Sequence, residues 1–263
     1  MMAIHTTKGR VKKMMFRKFS AIVLVFSYCL SAAAETLTVG VAANFFETAR
    51  SLEPAFEADS GIELKLISGS SGKLFAQISN GAKIDVFLSA DTAKPQALID
   101  QGLAAADSYH IYAQGRLALY SSRFVIPHNL GSFLMSEKLR VLSLANPELA
   151  PYGLAARQVL TALKVEKQAW QTWLSAENIA HALLYVDTGN ADAGFVAYSM
   201  LVSRNLVREE HVRLIDEHLH KPIEQAMVIT REGEAARRWL AFLQSEEARR
   251  VIVQAGYGLP EKP

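Results

Sequence analysis

Cysteine is almost absent from this sequence: Cys29 is the only one in 263 residues. It falls within the first 34 residues, so a chain beginning near Glu35 would contain none. Such a chain holds no disulfide and has neither a thiolate nucleophile nor a cysteine-ligated metal. Acidic residues are missing from residues 1–34, which carry Lys8, Arg10, Lys12, Lys13, Arg17 and Lys18. Basic runs are missing from the rest. Setting the six aside leaves 22 basic residues against 26 acidic ones, a balance of −4, which gives nucleic acid no electrostatic footing. No apolar run is long enough to span a bilayer comfortably; Ala21–Leu30 is the nearest. No low-complexity tract or internal repeat interrupts the chain, and half of its residues are hydrophobic, which indicates a globular protein.

The first 34 residues read as a cleavable export signal. A basic stretch precedes a short apolar segment, and Ala32-Ala33-Ala34 fits the small-x-small cleavage pattern. The basic part is long, so Met14 or Met15 competes with Met1 as the start. An exported, cysteine-free chain points to a bacterial periplasm.

From Glu35 onward the pattern alternates strand and helix. Thr36–Ala42 is a β-branched strand, and Asn44 is placed as the N-cap of a helix over Phe45–Ala58. Ile62–Ile67 is a second strand, followed by Ser68-Gly69-Ser70-Ser71-Gly72-Lys73 and a helix over Leu74–Ser79. Ile84–Asp91 is a third, buried strand before a helix over Lys94–Gln101. Repeated strand–helix units argue for α/β architecture with parallel sheets. Alternation restarts at Leu117, with strands at Arg140–Ala145 and Ala193–Ala197 and helices over Leu154–Leu163 and Ile179–Asp187. Phe124–Lys138 reads as a surface loop, and Trp170–Leu174 as helical, with Trp170 and Trp173 on one packing face. Ile223–Ile229 is a late strand that could return to the first sheet. The expected division is lobe I over 35–116 plus 222–263, and lobe II over 117–221.

Chemistry concentrates at four strand-to-helix loops: Ala43-Asn44, Ser70-Ser71-Gly72, Pro151-Tyr152-Gly153 and Asn178-Ile179. Helix starts leave backbone N–H groups unpaired, and the helix dipole favours negative charge there. Two sharper motifs around Lys73 fall short. A phosphate-binding P-loop requires a leading Gly and a hydroxyl after the Lys, but Ile67 and Leu74 hold those positions. Ser70-x-x-Lys73 has the spacing of a serine hydrolase, yet the Ser-Asp-Asn and Lys-Thr-Gly partners are missing. An exported hydrolase using Ser70 and Lys73 therefore remains only an alternative. Uncharged donors with no acid at the contact positions suit an oxyanion that keeps no proton. Monohydrogen phosphate would want an acceptor.

The sequence resembles the periplasmic molybdate-binding proteins of ABC transporters. Val41-Ala42-Ala43-Asn44, Ser70-Ser71-Gly72-Lys73-Leu74, Gly81–Asp91, Asn146–Gly153, Phe242–Arg249 and Gly256-Tyr257-Gly258 carry the likeness across nearly the whole exported chain. The resemblance implies a two-lobe periplasmic-binding-protein fold of type II. Each lobe would be a mostly parallel sheet flanked by helices, with the ligand in the interlobe cleft. It implies a monomeric receptor, not an enzyme, that passes molybdate or tungstate to a membrane permease and needs no cofactor. The oxyanion would be held by Asn44, Ser71, Tyr152 and the backbone N–H of Ile179, with Ala43 as a further contact. Some members place a tyrosine after the Gly194-Phe195-Val196 strand; here Tyr198 stands one residue late. A sulfate or other oxyanion receptor of the same fold is the alternative within the class.

Other residues carry blander readings. His218 and His220 sit in a polar loop rather than a metal site, and His181 lies on a helix surface. Asp85 and Asp91 are expected to bond backbone or cap a helix.

Overall fold

Strand register positions everything that follows. The computed structural model describes residues 35–260; the expected export signal lies outside them. In the first sheet, β1 (Thr36–Ala42) pairs in parallel with β2 (Glu63–Gly69), Thr36 opposite Glu63 and Ala42 opposite Gly69. The two strands therefore end at the same level, and their exit loops lie side by side. In the second sheet, β6 (Val141–Ala145) and β7 (Thr172–Ala176) do the same, with Ala145 opposite Ala176. One further bond extends each ladder: Ala43 N–H donates to the Gly69 carbonyl (2.9 Å) and Asn146 N–H to that of Ala176 (2.7 Å).

Two five-stranded sheets result. The first adds β3 (Val86–Leu88), β4 (His110–Gly115) and β10 (Ile223–Ile229), in the order β2-β1-β3-β10-β4. The second adds β5 (Leu117–Tyr120), β8 (Ala193–Ala197) and β9 (Val212–Leu214), in the order β7-β6-β8-β5-β9. Each has one reversed strand in fourth place, β10 or β5, antiparallel to both its neighbours. The late strand does return to the first sheet, so the chain crosses between lobes twice, at Gly115–Leu117 and before Ile223. The two lobes of this α/β fold are thus built on one plan.

Helices follow the strands. In the first lobe these are α1 (Phe46–Ser60), α2 (Ser71–Ser79), α3 (Ala93–Asp100), α8 (Glu234–Leu243) and α9 (Glu246–Gln254). In the second they are α4 (Leu130–Leu134), α5 (Pro151–Ala162), α6 (Ile179–Asp187) and α7 (Tyr198–Ser203). Sheet one is covered on both faces. Phe56, Trp239 and Ile252 pack with Val39 and Val41 on one side, and Leu74, Ile78 and Leu98 with Phe87 on the other. No helix among the described residues is long and apolar enough to cross a membrane.

Three local readings need correction. Trp170–Leu174 is not helical: Trp173 lies in β7, and Trp170 precedes that strand, partly exposed. The i, i+3 tryptophan spacing fitted a helix, but parallel pairing with β6, along one side of this edge strand, prevails. Phe124–Lys138 is no simple surface loop, because Ile126, Phe133, Leu134 and Leu139 are buried around α4. The buried Gln171 amide donates to the carbonyls of Leu134 (2.7 Å) and Leu139 (3.1 Å), which lets this irregular backbone enter the core. Asn44 is not the cap of α1: Phe45 holds that position without a side-chain bond.

Trp239 is fully buried, edge-on to Phe56 (5.0 Å between ring centres) and stacked on Phe242 (5.7 Å). Trp239→Ala is expected to lower stability by about 3–5 kcal/mol in urea denaturation. A loss below about 1 kcal/mol would mean this aromatic cluster does not anchor α8 and α1.

Candidate functional site

Between the lobes lies a small cavity lined by Ala42-Ala43-Asn44, Ser70-Ser71, Ala90, Ala150-Pro151-Tyr152 and Asn178-Ile179. All four sequence-identified loops meet there. They are equivalent in pairs: the β1–α1 and β2–α2 connections face the β6–α5 and β7–α6 connections. The matched strand registers bring each pair to one level, and the repeated fold brings the pairs together. No charged side chain is among the lining residues.

The donors are specific. The backbone N–H groups of Asn44, Ser71, Tyr152 and Ile179 are bonded to no other described residue. Two hydroxyls are oriented by the bonds they accept. Ser71 Oγ accepts from Ala90 N–H (2.9 Å), which leaves its proton free to donate. Tyr152 Oη accepts from Gln225 Nε2 (3.2 Å), with the same consequence. Both residues are about 1 % exposed. Burial pushes the Tyr152 phenol well above its ordinary pKa, so it keeps its proton at neutral pH.

Local sequence sets these positions. Ser70 Oγ accepts from Lys73 N–H (3.3 Å) and caps α2, which leaves Ser71 as the first helical residue. Asn178 caps α6 by accepting from His181 N–H (3.0 Å), so Ile179 begins that helix. Pro151 opens α5, where its missing N–H costs nothing. Gly153 lets that helix start lie against the Ala145 carbonyl, which any Cβ would strike. Gly115 plays the same part for the Tyr152 hydroxyl, which occupies the place its Cβ would take.

Asn44 reaches the cavity differently than expected. Its side-chain amide donates to Gln225 Oε1 (2.8 Å) and Tyr257 Oη (3.1 Å), which uses both of its hydrogens. Only its backbone N–H is free for the cavity. Ala43 lines the cavity, whereas Tyr198 does not: it opens α7, its ring under the Arg116 guanidinium at 5.3 Å. The motif Ser70-x-x-Lys73 is not assembled for catalysis, because the Lys73 ammonium pairs with Glu177 at 2.8 Å. Asp85 accepts from Thr38 N–H, and Asp91 from Lys94 N–H at the start of α3. His181 is exposed. Among the described residues, no three His, Cys, Asp or Glu side chains gather as a metal site.

Sequence reasoning missed the residues behind the cavity wall: Gln225, Tyr112, Tyr257 and Ser199. Gln225 had a signal, since it is a lone amide inside the apolar strand Ile223–Ile229. The lobes also touch directly. Gly72 N–H donates to the Leu149 carbonyl (2.9 Å), and Lys73 meets Glu177 across the same seam.

Comparison with known proteins agrees with this architecture. Residues 37–258 match the family described as bacterial extracellular solute-binding protein. The molybdate-binding protein ModA of Rhodobacter capsulatus is 34% identical over 241 residues, covering 90% of this chain and 94% of its own. ModA of Azotobacter vinelandii is 36% identical over 234 residues, covering 88% and 92%. The solved Azotobacter vinelandii periplasmic molybdate-binding protein superposes with a TM-score of 0.81 at 34% identity, covering 86% of this chain and all of that one. The Mycobacterium tuberculosis sulfate-binding protein SubI shares the fold alone, with a TM-score of 0.70 at 13% identity.

Three outcomes test the geometry. Ser71→Ala should weaken anion binding by roughly 1–3 kcal/mol in calorimetry, the worth of a donor to a charged group. Gly115→Ala should displace the Tyr152 hydroxyl and weaken binding while leaving a folded protein by circular dichroism. The Lys73 hydrogen bond holds the Glu177 carboxyl below its ordinary pKa. That pair therefore favours closure fully above the carboxyl's ordinary value, and the contribution is lost as pH falls through the lowered one. Because both groups are about half exposed, Glu177→Gln should change affinity by at most a few-fold, and salt should erase the difference.

Proposed function

This chain belongs to the bacterial extracellular solute-binding protein family, and we propose that it is the molybdate receptor of an ABC transporter. It captures molybdate, and tungstate with it, and delivers the anion to a membrane permease. The observation that carries this reading is the donor set. Four unpaired helix-start N–H groups and two oriented hydroxyls converge on a cavity without charge. A buried dianion costs far more than it returns unless every oxygen is hydrogen-bonded. Amides and hydroxyls meet that need without a counter-ion.

The proposed binding residues are Asn44, Ser71, Tyr152 and Ile179 through backbone N–H, with the hydroxyls of Ser71 and Tyr152; Ala43 is a wall contact. Lobe I is taken as 35–116 with 222–263, and lobe II as 117–221. Because each lobe supplies half of the donors, binding and closure are one event: the anion favours the state in which both halves reach it. The chain is placed in the periplasm, exported by residues 1–34, and acts as a monomer without a cofactor or catalytic step. A sulfate receptor is the second reading, supported by the fold shared with SubI and by sulfate's equal lack of protons.

Calorimetry of residues 35–263 with molybdate, tungstate, sulfate and phosphate tests the proposal. Molybdate and tungstate should bind tightly, sulfate more weakly and phosphate least. No heat with either molybdate or tungstate would overturn it, and tighter binding of sulfate would move the assignment to the second reading.

A further inference from the structure

Behind the Tyr152 hydroxyl runs a chain of buried side chains whose proton directions are fixed from one end. Tyr257 Oη lies 2.7 Å from the Asn44 carbonyl oxygen, a contact that requires the phenol proton between them. Burial raises the Tyr257 pKa, which keeps that proton in place. With its proton committed, Tyr257 Oη can only accept from its other neighbours, Ser199 Oγ (2.9 Å) and the Asn44 side chain (3.1 Å). The Asn44 atom facing it must therefore be Nδ2. The second hydrogen of Nδ2 points at Gln225, so the Gln225 atom 2.8 Å away must be Oε1. That places Gln225 Nε2 against Tyr152 Oη, 3.2 Å away. Gln225 is fully buried, so no solvent competes for either end of its amide.

This chain of constraints matters at the cavity. A phenol oxygen that accepts from Gln225 behind the wall turns its proton, rather than that acceptor site, toward the cavity. Ser71 Oγ also accepts, from Ala90 N–H, and keeps a second lone pair. The Tyr152 oxygen therefore meets a ligand as a donor, and a substitution at Gln225 can change that. We infer that Gln225, held by Asn44 and Tyr257, is a specificity-determining positioning residue that disfavours protonated oxyanions by occupying the accepting side of Tyr152. The inference rests on the oxyanion-receptor reading above. Molybdate, tungstate and sulfate bring no proton to the site. Monohydrogen phosphate and arsenate bring one, which at Tyr152 meets another proton in place of an acceptor, a mismatch against which hydrogen bonding discriminates.

Two uncharged substitutions test this without touching the cavity wall. Gln225→Met removes the amide that fills the Tyr152 oxygen. Tyr257→Phe removes the anchoring proton, so the Asn44 and Gln225 amides can both turn over. The readout is the ratio of molybdate to phosphate affinity by calorimetry, in the wild-type chain and in a Tyr152→Phe background. Each substitution should lower the ratio by about tenfold, the worth of one hydrogen bond to a charged group. In the Tyr152→Phe background neither should change the ratio further, since the oxygen they act through is gone. A merely structural role would weaken both anions together and leave the ratio where it was. An unchanged ratio in both variants, or a change that persists without the Tyr152 hydroxyl, overturns the inference. If one variant fails to fold, the other decides alone. Wild-type protein that binds neither molybdate nor tungstate would instead remove the underlying function, a result distinct from an unchanged ratio.

Discussion

A dianion taken out of water needs a donor at each oxygen, and the proposed site meets that constraint with neutral groups from both lobes. The four helix starts supply backbone N–H groups whose partners lie nowhere else in the described chain. Two hydroxyls add protons whose direction is set by N–H groups behind them. Positive side chains are not needed: Lys73, the nearest cation in sequence, is taken up by Glu177 at the seam between lobes. A fixed charge would attract any anion, whereas a shell of directed neutral donors selects by geometry and protonation.

The doubled fold is what makes such a shell possible. One parallel strand pair brings two helix starts to one level, but two starts cannot surround a small anion. Repeating the plan in the second sheet and facing the two together closes the cage. Closure depends on backbone fit as well as on ligand. Gly72 has its Cα hydrogen where a Cβ would lie 3.0 Å from the Leu149 backbone, and its N–H bonds across the same gap. Affinity and lobe position are therefore coupled through contacts that exist only when the halves meet.

Much of this was legible in the sequence, for identifiable reasons. Strand–helix alternation and the four helix starts are local signals, and a cap such as Asn178 or Ser70 announces itself within four residues. Ser71, Tyr152 and Ile179 were readable because each stands at or beside such a start. Less visible was whatever depends on partners far along the chain. Asn44 looked like a cap, yet its amide serves Gln225 and Tyr257, respectively 181 and 213 residues away. The strand Thr172–Ala176 resembled helix because its partner β6 lies some thirty residues earlier. The strands His110–Gly115 and Val212–Leu214 were not assigned at all, since each depends on pairing with the reversed strand of its sheet. Periodicity reports which residues want burial, and it is silent on who fills the space opposite.

The central claim is that helix-start N–H groups from both lobes, with two oriented hydroxyls, hold a fully deprotonated oxyanion. A crystal structure of residues 35–263 grown with molybdate tests it most directly. The account predicts one tetrahedral anion in the cavity, its oxygens within hydrogen-bond reach of the N–H groups of Asn44, Ser71, Tyr152 and Ile179 and of the Ser71 and Tyr152 hydroxyls. An anion bound outside that cavity, or one neutralised by Lys73 or another cation, would contradict it.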